Sequence, residues 1–249
     1  VLAFGAADLL MLAGLPALGL SFGPTRLSLM WLTVLRAGVW AALLPAAWAI
    51  GAYAQRPMIG LPAVWGVQLA VSALALYALY VEPFDLRVTR VEIASPEIHA
   101  ARPIRIVHLS DIHVERITRR EREMLATVQA LQPDLIVLTG DYVNIDYVHD
   151  ELARRETRQV LAQLSAPYGV YAVSGSLAVD TPEVMAEVFN GRQGLPIRVL
   201  HDERARVEVA GASLDLVGVS RGHREANITT LDNLMEPLPA EAYTILLYH

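Results

Sequence analysis

The sequence predicts an α/β domain with a largely parallel sheet, joined to an N-terminal region of transmembrane helices. Charge divides the chain first. Residues 1–81 hold one acid, Asp8, and three arginines, Arg26, Arg36 and Arg56, whereas the remainder holds 25 acids and 17 arginines. The formal charges are therefore +2 and −8, and all four tryptophans (Trp31, Trp40, Trp48 and Trp65) lie in the first part. The second observation is the order of patterns beyond residue 81, where short apolar runs alternate with amphipathic segments as strand, helix, strand, helix, strand. The third is that successive apolar runs stop at polar groups: Asp111 and His113, then Asp141, then Ser176. Ligands of open α/β sheets collect at such carboxyl ends.

Residues 1–81 are expected to form three membrane-spanning helices. Residues 1–23 are apolar except for Asp8, residues 37–54 form a second uncharged run with Arg36 at its start, and residues 57–81 form a third, closing on Tyr77 and Tyr80. Each is about long enough to cross a bilayer, and tyrosines suit its interface. Asp8 is expected near the interface, and Arg36 is expected to snorkel there. Arg26, Arg36, Arg87 and Arg90 fall on the side of the following domain, with Arg56 on the other. By the positive-inside rule the domain faces the cytoplasm. A transport role for the helices has only Asp8 and Arg36 as charged candidates, and is the weakest reading.

The soluble domain is expected over residues 82–249. Residues 86–93 alternate apolar and polar, the pattern of a half-exposed strand. Arg105–His113 reads R-I-V-H-L-S-D-I-H. Ile106-Val107-His108-Leu109 suits a buried strand, and the carboxylate and imidazole two residues apart can turn toward one cation if the chain bends there. Residues 117–131 place apolar side chains on one face and charges on the other, as an amphipathic helix does. Pro133 ends it, and residues 134–139 form a buried strand leading into Gly140-Asp141. A helix over 150–164 and a strand over 169–173 follow, ending at Ser174-Gly175-Ser176. Thr181-Pro182-Glu183 is a helix start. Strands are expected over 197–201, 205–210, 213–219 and 243–248, with His249 after the last. Val1 and His249 read as truncation points.

Composition also excludes. An acidic domain offers phosphate backbones no basic face, so nucleic acid is not expected as a stable partner. Cysteine is absent, which removes disulfides and thiolate metal sites. His108 lies within a strand and is expected to pack or face the sheet. His149, His201 and His223 sit in polar loops and are expected on the surface. Tyr142 and Asn144 suit a turn. Arg116, Arg119, Arg120 and Arg122, interleaved with Glu115, Glu121 and Glu123, read as a solvated helix face.

D-x-H alone is weak, and G-D after a strand is common turn chemistry. In order, at consecutive strand ends, they are far more specific. L-S-D-I-H, L-T-G-D-Y-V and the G-V-Y-A-V strand resemble the calcineurin-like metallophosphoesterases, in their bacterial membrane-anchored branch, over residues 82–249. The resemblance implies an α/β/β/α sandwich, here incomplete at the C-terminus, and a site for two divalent cations, Mn, Fe or Zn. Asp111 and His113 would bind the first metal, Asp141 would bridge both, and His249 would serve the second. Oxygen and imidazole donors suit such ions. Two of them about 3.5–4 Å apart can bind phosphate oxygens and generate a hydroxide for in-line attack.

The chain departs from the family's G-N-H-D motif, carrying Gly175-Ser176-Leu177-Ala178 instead. Ser176 stands where the family has its metal-binding asparagine, and is a poorer neutral ligand. Leu177 occupies the position of the catalytic histidine, so no catalytic proton donor is intact. The family's closing G-H-x-H would lie beyond His249. Two functions follow from the resemblance: a membrane-anchored phosphoesterase acting on a phosphomonoester or phosphodiester, such as a lipid head group, or a pseudoenzyme keeping the fold for binding or regulation. The implied location is a bacterial inner (plasma) membrane.

Overall fold

The computed structural model describes residues 6, 25–56, 60–191, 194–220, 231–234 and 242–249. The chain divides into two compact units, Val1–Leu86 and Arg87–His249.

The first unit contains helices α1 (Thr25–Tyr53) and α2 (Leu61–Tyr80). Both contain windows long and apolar enough to cross a membrane. The two run side by side: a Cβ added to Gly60 would lie 2.6 Å from Ala47, and Trp40 and Trp65 meet edge to face at 6.3 Å. The first of the three expected spans, with Asp8, lies outside the described residues. The second begins at Thr25, not residue 37, because nothing in L-S-L-M-W-L-T-V-L-R interrupts helical geometry. Arg36 thus falls inside a helix and does not snorkel to an end. It is buried, and donates from Nη1 to Gln68 O and Oε1 at 3.1 and 2.9 Å and from Nη2 to Ser72 Oγ at 2.8 Å. Acceptors on the neighbouring helix replace the water that snorkelling would have sought.

In the second unit, β1 (Ile106–Leu109), β2 (Leu135–Leu138), β3 (Val170–Ala172) and β4 (Arg198–Val199) form a parallel sheet in that order. The intervening helices are α3 (Arg119–Leu131), α4 (Glu151–Leu161) and α5 (Pro182–Met185), the last continuing as a π-helical turn to Asn190. Right-handed crossovers between strands in sequential order leave their helices on one face. The other face meets a second sheet of β5 (Glu203–Val209), β6 (Ala212–Gly218) and β7 (Tyr243–Leu247), with β5 antiparallel and β7 parallel to β6.

Strand β2 makes the sandwich possible because it is apolar on both faces. Ile136 and Leu138 join the core under the helices, with Leu125, Val128, Val160 and Leu161. Leu135 and Val137 join the core between the sheets, with Leu200, Val207, Leu214, Leu216 and Leu247. Register then aligns the carboxyl ends, with Leu109 opposite Leu138 and Leu138 opposite Ala172.

Local signals account for the helix boundaries. Thr118 and Glu121 form a capping box at the start of α3, and Asp150 caps α4 through the N–H groups of Leu152 and Ala153. Two expectations are corrected. Residues 86–93 form no strand: Val88, Val91 and Ile93 are exposed and no ladder partner exists among the described residues, and alternation without a neighbouring strand is not a sheet. The arginine-rich face of α3 is only partly solvated. Arg119 and Glu123 pair in the open, but Arg120 donates to the Ile112 carbonyl and to Glu121, which is 2 % exposed. Burial would raise the Glu121 carboxyl, yet hydrogen bonds from Thr118 and the Arg120 charge hold it below its usual range.

Candidate metal centre

Beyond β1 and β2 the two chains keep running side by side as loops. Asp111 N donates to Gly140 O, His113 N to Asp141 O and Val114 N to Tyr142 O, at 3.1, 3.0 and 2.8 Å. Ile112 and Val114 are buried in the core under the helices, so Asp111 and His113, on alternate positions, are left to face outward together. Asp111, His113 and Asp141 all adopt left-handed backbone conformations, with φ of 52°, 46° and 54°. These bends fold both loops sharply over the strand ends.

The side chains gather about Asp141, which is buried. His113 Nε2 stands 3.6 Å from Asp111 Oδ1 and 3.8 Å from Asp141 Oδ2. His249 Nε2 approaches the other carboxylate oxygen, Asp141 Oδ1, at 3.6 Å. Potential ligand atoms of Asp111, Asp141 and His249 all lie within 4.8 Å of one another. Ser176 joins the group: its N–H donates to Asp141 Oδ1 at 2.6 Å, its hydroxyl donates to Oδ2 at 2.9 Å, and Oγ lies 3.4 Å from His249 Nε2. Asp141 therefore turns one oxygen toward each histidine.

The outer contacts orient the imidazoles. His249 Nδ1 lies 2.8 Å from Thr139 O, and His113 Nδ1 lies 3.4 Å from Val143 O. A carbonyl can only accept, so a ring that donates from Nδ1 to it leaves Nε2, on the side of Asp141, as the atom available to a cation. This is the usual arrangement behind a metal-binding histidine. The carboxylates of Asp111 and Asp141 and the His249 imidazole lie close enough together to hold a metal ion, and His113 stands beside them.

Leu177 points away from any proton-transfer role, its apolar side chain 60 % exposed. His108 faces outward and its Nε2 meets Thr139 Oγ1 at 2.7 Å. His149 and His201 are exposed, and His223 lies outside the described residues. Asn144 caps the short 3-10 turn Ile145–Tyr147 and bonds to Glu115, while Tyr142 is buried with its hydroxyl donating to Val173 O.

Sequence reasoning missed Asp180. This carboxylate is 3 % exposed and accepts the backbone N–H groups of Asp141 and Gly175 at 2.7 Å each and of Tyr142 at 3.2 Å. Burial raises its pKa, those N–H groups oppose the rise, and the charge of Asp141 adds to it. Its signal in the sequence is an acid two residues past Ala178, in S-L-A-V-D.

Comparison with known proteins agrees with this geometry. The family model described as calcineurin-like phosphoesterase matches residues 104–177, from the start of β1 through Ser176 and Leu177. Over that stretch the chain is similar to the calcineurin-like phosphoesterases, and the curated relatives it resembles include proteins named as metallophosphoesterases. Among curated metallophosphoesterases it is 29 % identical to an uncharacterized one of Aquifex aeolicus, over 68 % of this chain and 64 % of that protein. It is 26 % identical to the uncharacterized YkoQ of Bacillus subtilis, over 54 % of this chain and 50 % of that one. It is also 30 % identical to the UDP-2,3-diacylglucosamine pyrophosphatase LpxG of Chlamydia muridarum, over 41 % of this chain and 31 % of that enzyme. The chain thus spans from about a third to just under two thirds of the length of these relatives.

Proposed function

We propose that this protein is a membrane-anchored, metal-dependent hydrolase of a phosphomonoester or phosphodiester, with Asp111, His113, Asp141 and His249 as metal ligands and Ser176 as a weak additional donor. The observation that carries the reading is the division of Asp141, whose two oxygens face two different imidazoles at 3.8 and 3.6 Å. That division is what a carboxylate bridging two cations requires. Divalent cations held by these residues would supply charge to neutralise phosphoryl oxygens and would activate water for in-line attack. The chain's own groups hold and orient. Thr139 O and Val143 O orient the imidazoles, and Ser176 N–H and hydroxyl hold the Asp141 rotamer. Leu177 can neither donate nor accept a proton, so protonation of the leaving group falls to solvent.

The membrane reading rests on α1 and α2, which turn large apolar side chains outward, Trp31, Trp48, Leu69 and Leu74 each at least 60 % exposed. A face of that kind suits lipid. With the arginine bias of the sequence, it supports a cytoplasmic domain on a bacterial inner membrane. The name of the chlamydial relative, a pyrophosphatase of a diacylated sugar nucleotide, supports phosphate esters bearing acyl chains, lipid head groups among them. The test is hydrolysis of an aryl phosphodiester by the full chain in detergent with added Mn²⁺, compared with Asp141→Ala. Metal-dependent turnover lost in the variant is expected; equal rates from both proteins would sink the proposal.

A second reading is favoured by one observation. Ser176-Leu177-Ala178 replaces three residues of one motif, and Leu177 presents only hydrocarbon beside the site. On that reading the domain is a pseudoenzyme that binds metal and serves regulation or assembly.

A further inference from the structure

The structure assigns Asp180 as the positioning residue that holds the Asp141 loop in its ligand geometry, an inference that rests on the metal-site reading above. Asp180 is not among the residues whose ligand atoms gather at the centre, and it accepts from backbone N–H groups. Its Oδ2 receives the backbone N–H of Asp141 and that of Gly175, both at 2.7 Å, and Oδ1 receives Tyr142 N–H at 3.2 Å. One carboxylate thereby joins the loop after β2 to the loop after β3. The side chain of Asp141 is gripped from the same loop, by Ser176 N–H at 2.6 Å. The backbone and the side chain of the shared carboxylate are thus fixed by two residues four apart in one turn, which closes through Asp180 N–H and Val179 N–H donating to Ser176 O at 2.8 and 2.9 Å.

The need for such a hold follows from the backbone of Asp141. Its φ of 54° is a conformation that a residue with a Cβ adopts reluctantly. Three N–H groups from two loops, all turned inward around one point, would be costly to bury without an acceptor. A neutral amide in place of the carboxylate offers one oxygen and turns an NH₂ group toward N–H donors. Asp180→Asn should therefore loosen both loops about Asp141 while preserving the volume of the side chain.

The experiment measures Mn²⁺ binding by calorimetry on the full chain in detergent, alongside thermal unfolding without metal, for wild type, Asp180→Asn and Asp180→Glu. Loss of partners behind metal ligands usually weakens affinity by about 10- to 100-fold. That weakening is expected in Asp180→Asn, with partial recovery in Asp180→Glu and with turnover restored at saturating Mn²⁺. Unchanged Mn²⁺ affinity in Asp180→Asn overturns the inference. So does a fall in metal-free melting temperature of more than about 10 °C, which would make the carboxylate a fold element only. Absence of Mn²⁺ binding by wild type overturns the metal-site reading itself, and this inference with it.

Discussion

Gly140 and Gly175 meet backbone to backbone: a Cβ on Gly140 would lie 2.3 Å from both Cα and N of Gly175. The contact brings the loop that carries Asp141 against the loop that carries Ser176, and a Cβ on Gly175 would strike Asp141 N and Oδ1 at 2.4 Å each. Backbone atoms cannot step aside as a flexible side chain would. Gly175→Ala is therefore expected to destabilise the domain by about 1–3 kcal/mol, the range for overpacking. Chemical denaturation gives the first quantity, and Mn²⁺ titration should reveal weakened binding. A variant as stable as wild type with full metal affinity would contradict the contact.

The altered motif separates the enzyme from the pseudoenzyme. Ser176→Asn with Leu177→His restores an amide donor and an imidazole at the strand end. A well-placed proton donor commonly contributes about 10²–10⁴ in rate. Turnover of an aryl phosphodiester should rise within that range if the motif alone limits catalysis. A restored protein that binds metal and remains inert favours the pseudoenzyme.

Asp134 anchors the start of β2. The Arg102 guanidinium makes two hydrogen bonds to it, at 2.8 and 2.6 Å, and lowers its pKa from 3.8 to about 2, against the opposing effect of burial and with help from Arg105 N–H. A lowered carboxylate pKa contributes stability that is complete above the unfolded value and is lost as pH falls through the folded one. The window here runs from about pH 4 down to about pH 2. With Arg102 half exposed to solvent, screening keeps the stability deficit left by losing the pair modest. Arg102→Ala should show that deficit at pH 6 by urea unfolding, and the gap should close as pH approaches 2. A deficit constant with pH would assign the effect to packing.

Arg36 rests on Gln68 and Ser72 inside the helical unit. Gln68→Leu removes the Oε1 acceptor from a buried guanidinium. Interhelical hydrogen bonds in membranes average about 0.6 kcal/mol and reach about 1.7, and a charged donor belongs at the upper end. Helical unfolding in detergent should show this loss, and Arg36→Leu combined with Gln68→Leu should recover part of it, since both partners are then apolar. A double variant less stable than Gln68→Leu would reject the account.

The parts of the site that were legible were those written as residue patterns. Asp111 and His113 could be read because Ile106–Leu109 is apolar and Ile112 lies between the pair, which sends both side chains outward. Asp141 followed from an apolar strand ending in glycine. The supporting contacts were not legible, because Thr139 O and Val143 O are backbone atoms that any residue would supply. Asp180 acts on N–H groups of residues up to 39 positions away, and such contacts leave no periodicity. Residues 86–93 misled in the opposite way. Alternation records which faces a strand could have, and only a neighbouring strand makes it one. Arg36 was misplaced because a lone arginine near an apolar run marks a helix end only when no acceptor waits on the adjacent helix.

The left-handed turns at Asp111, His113 and Asp141 have a consequence for how the protein can change. Each places a Cβ where glycine would fit more easily, and sparsely populated conformations of this kind cost about 1–3 kcal/mol apiece. The candidate centre thus gathers three such conformations in two adjoining loops, so replacing one of these residues by glycine trades a candidate ligand for stability. Asp111→Gly should raise the metal-free melting temperature while weakening Mn²⁺ binding; a lowered melting temperature would refute this trade. Side chains that persist at such positions do so against the preference of their own backbone.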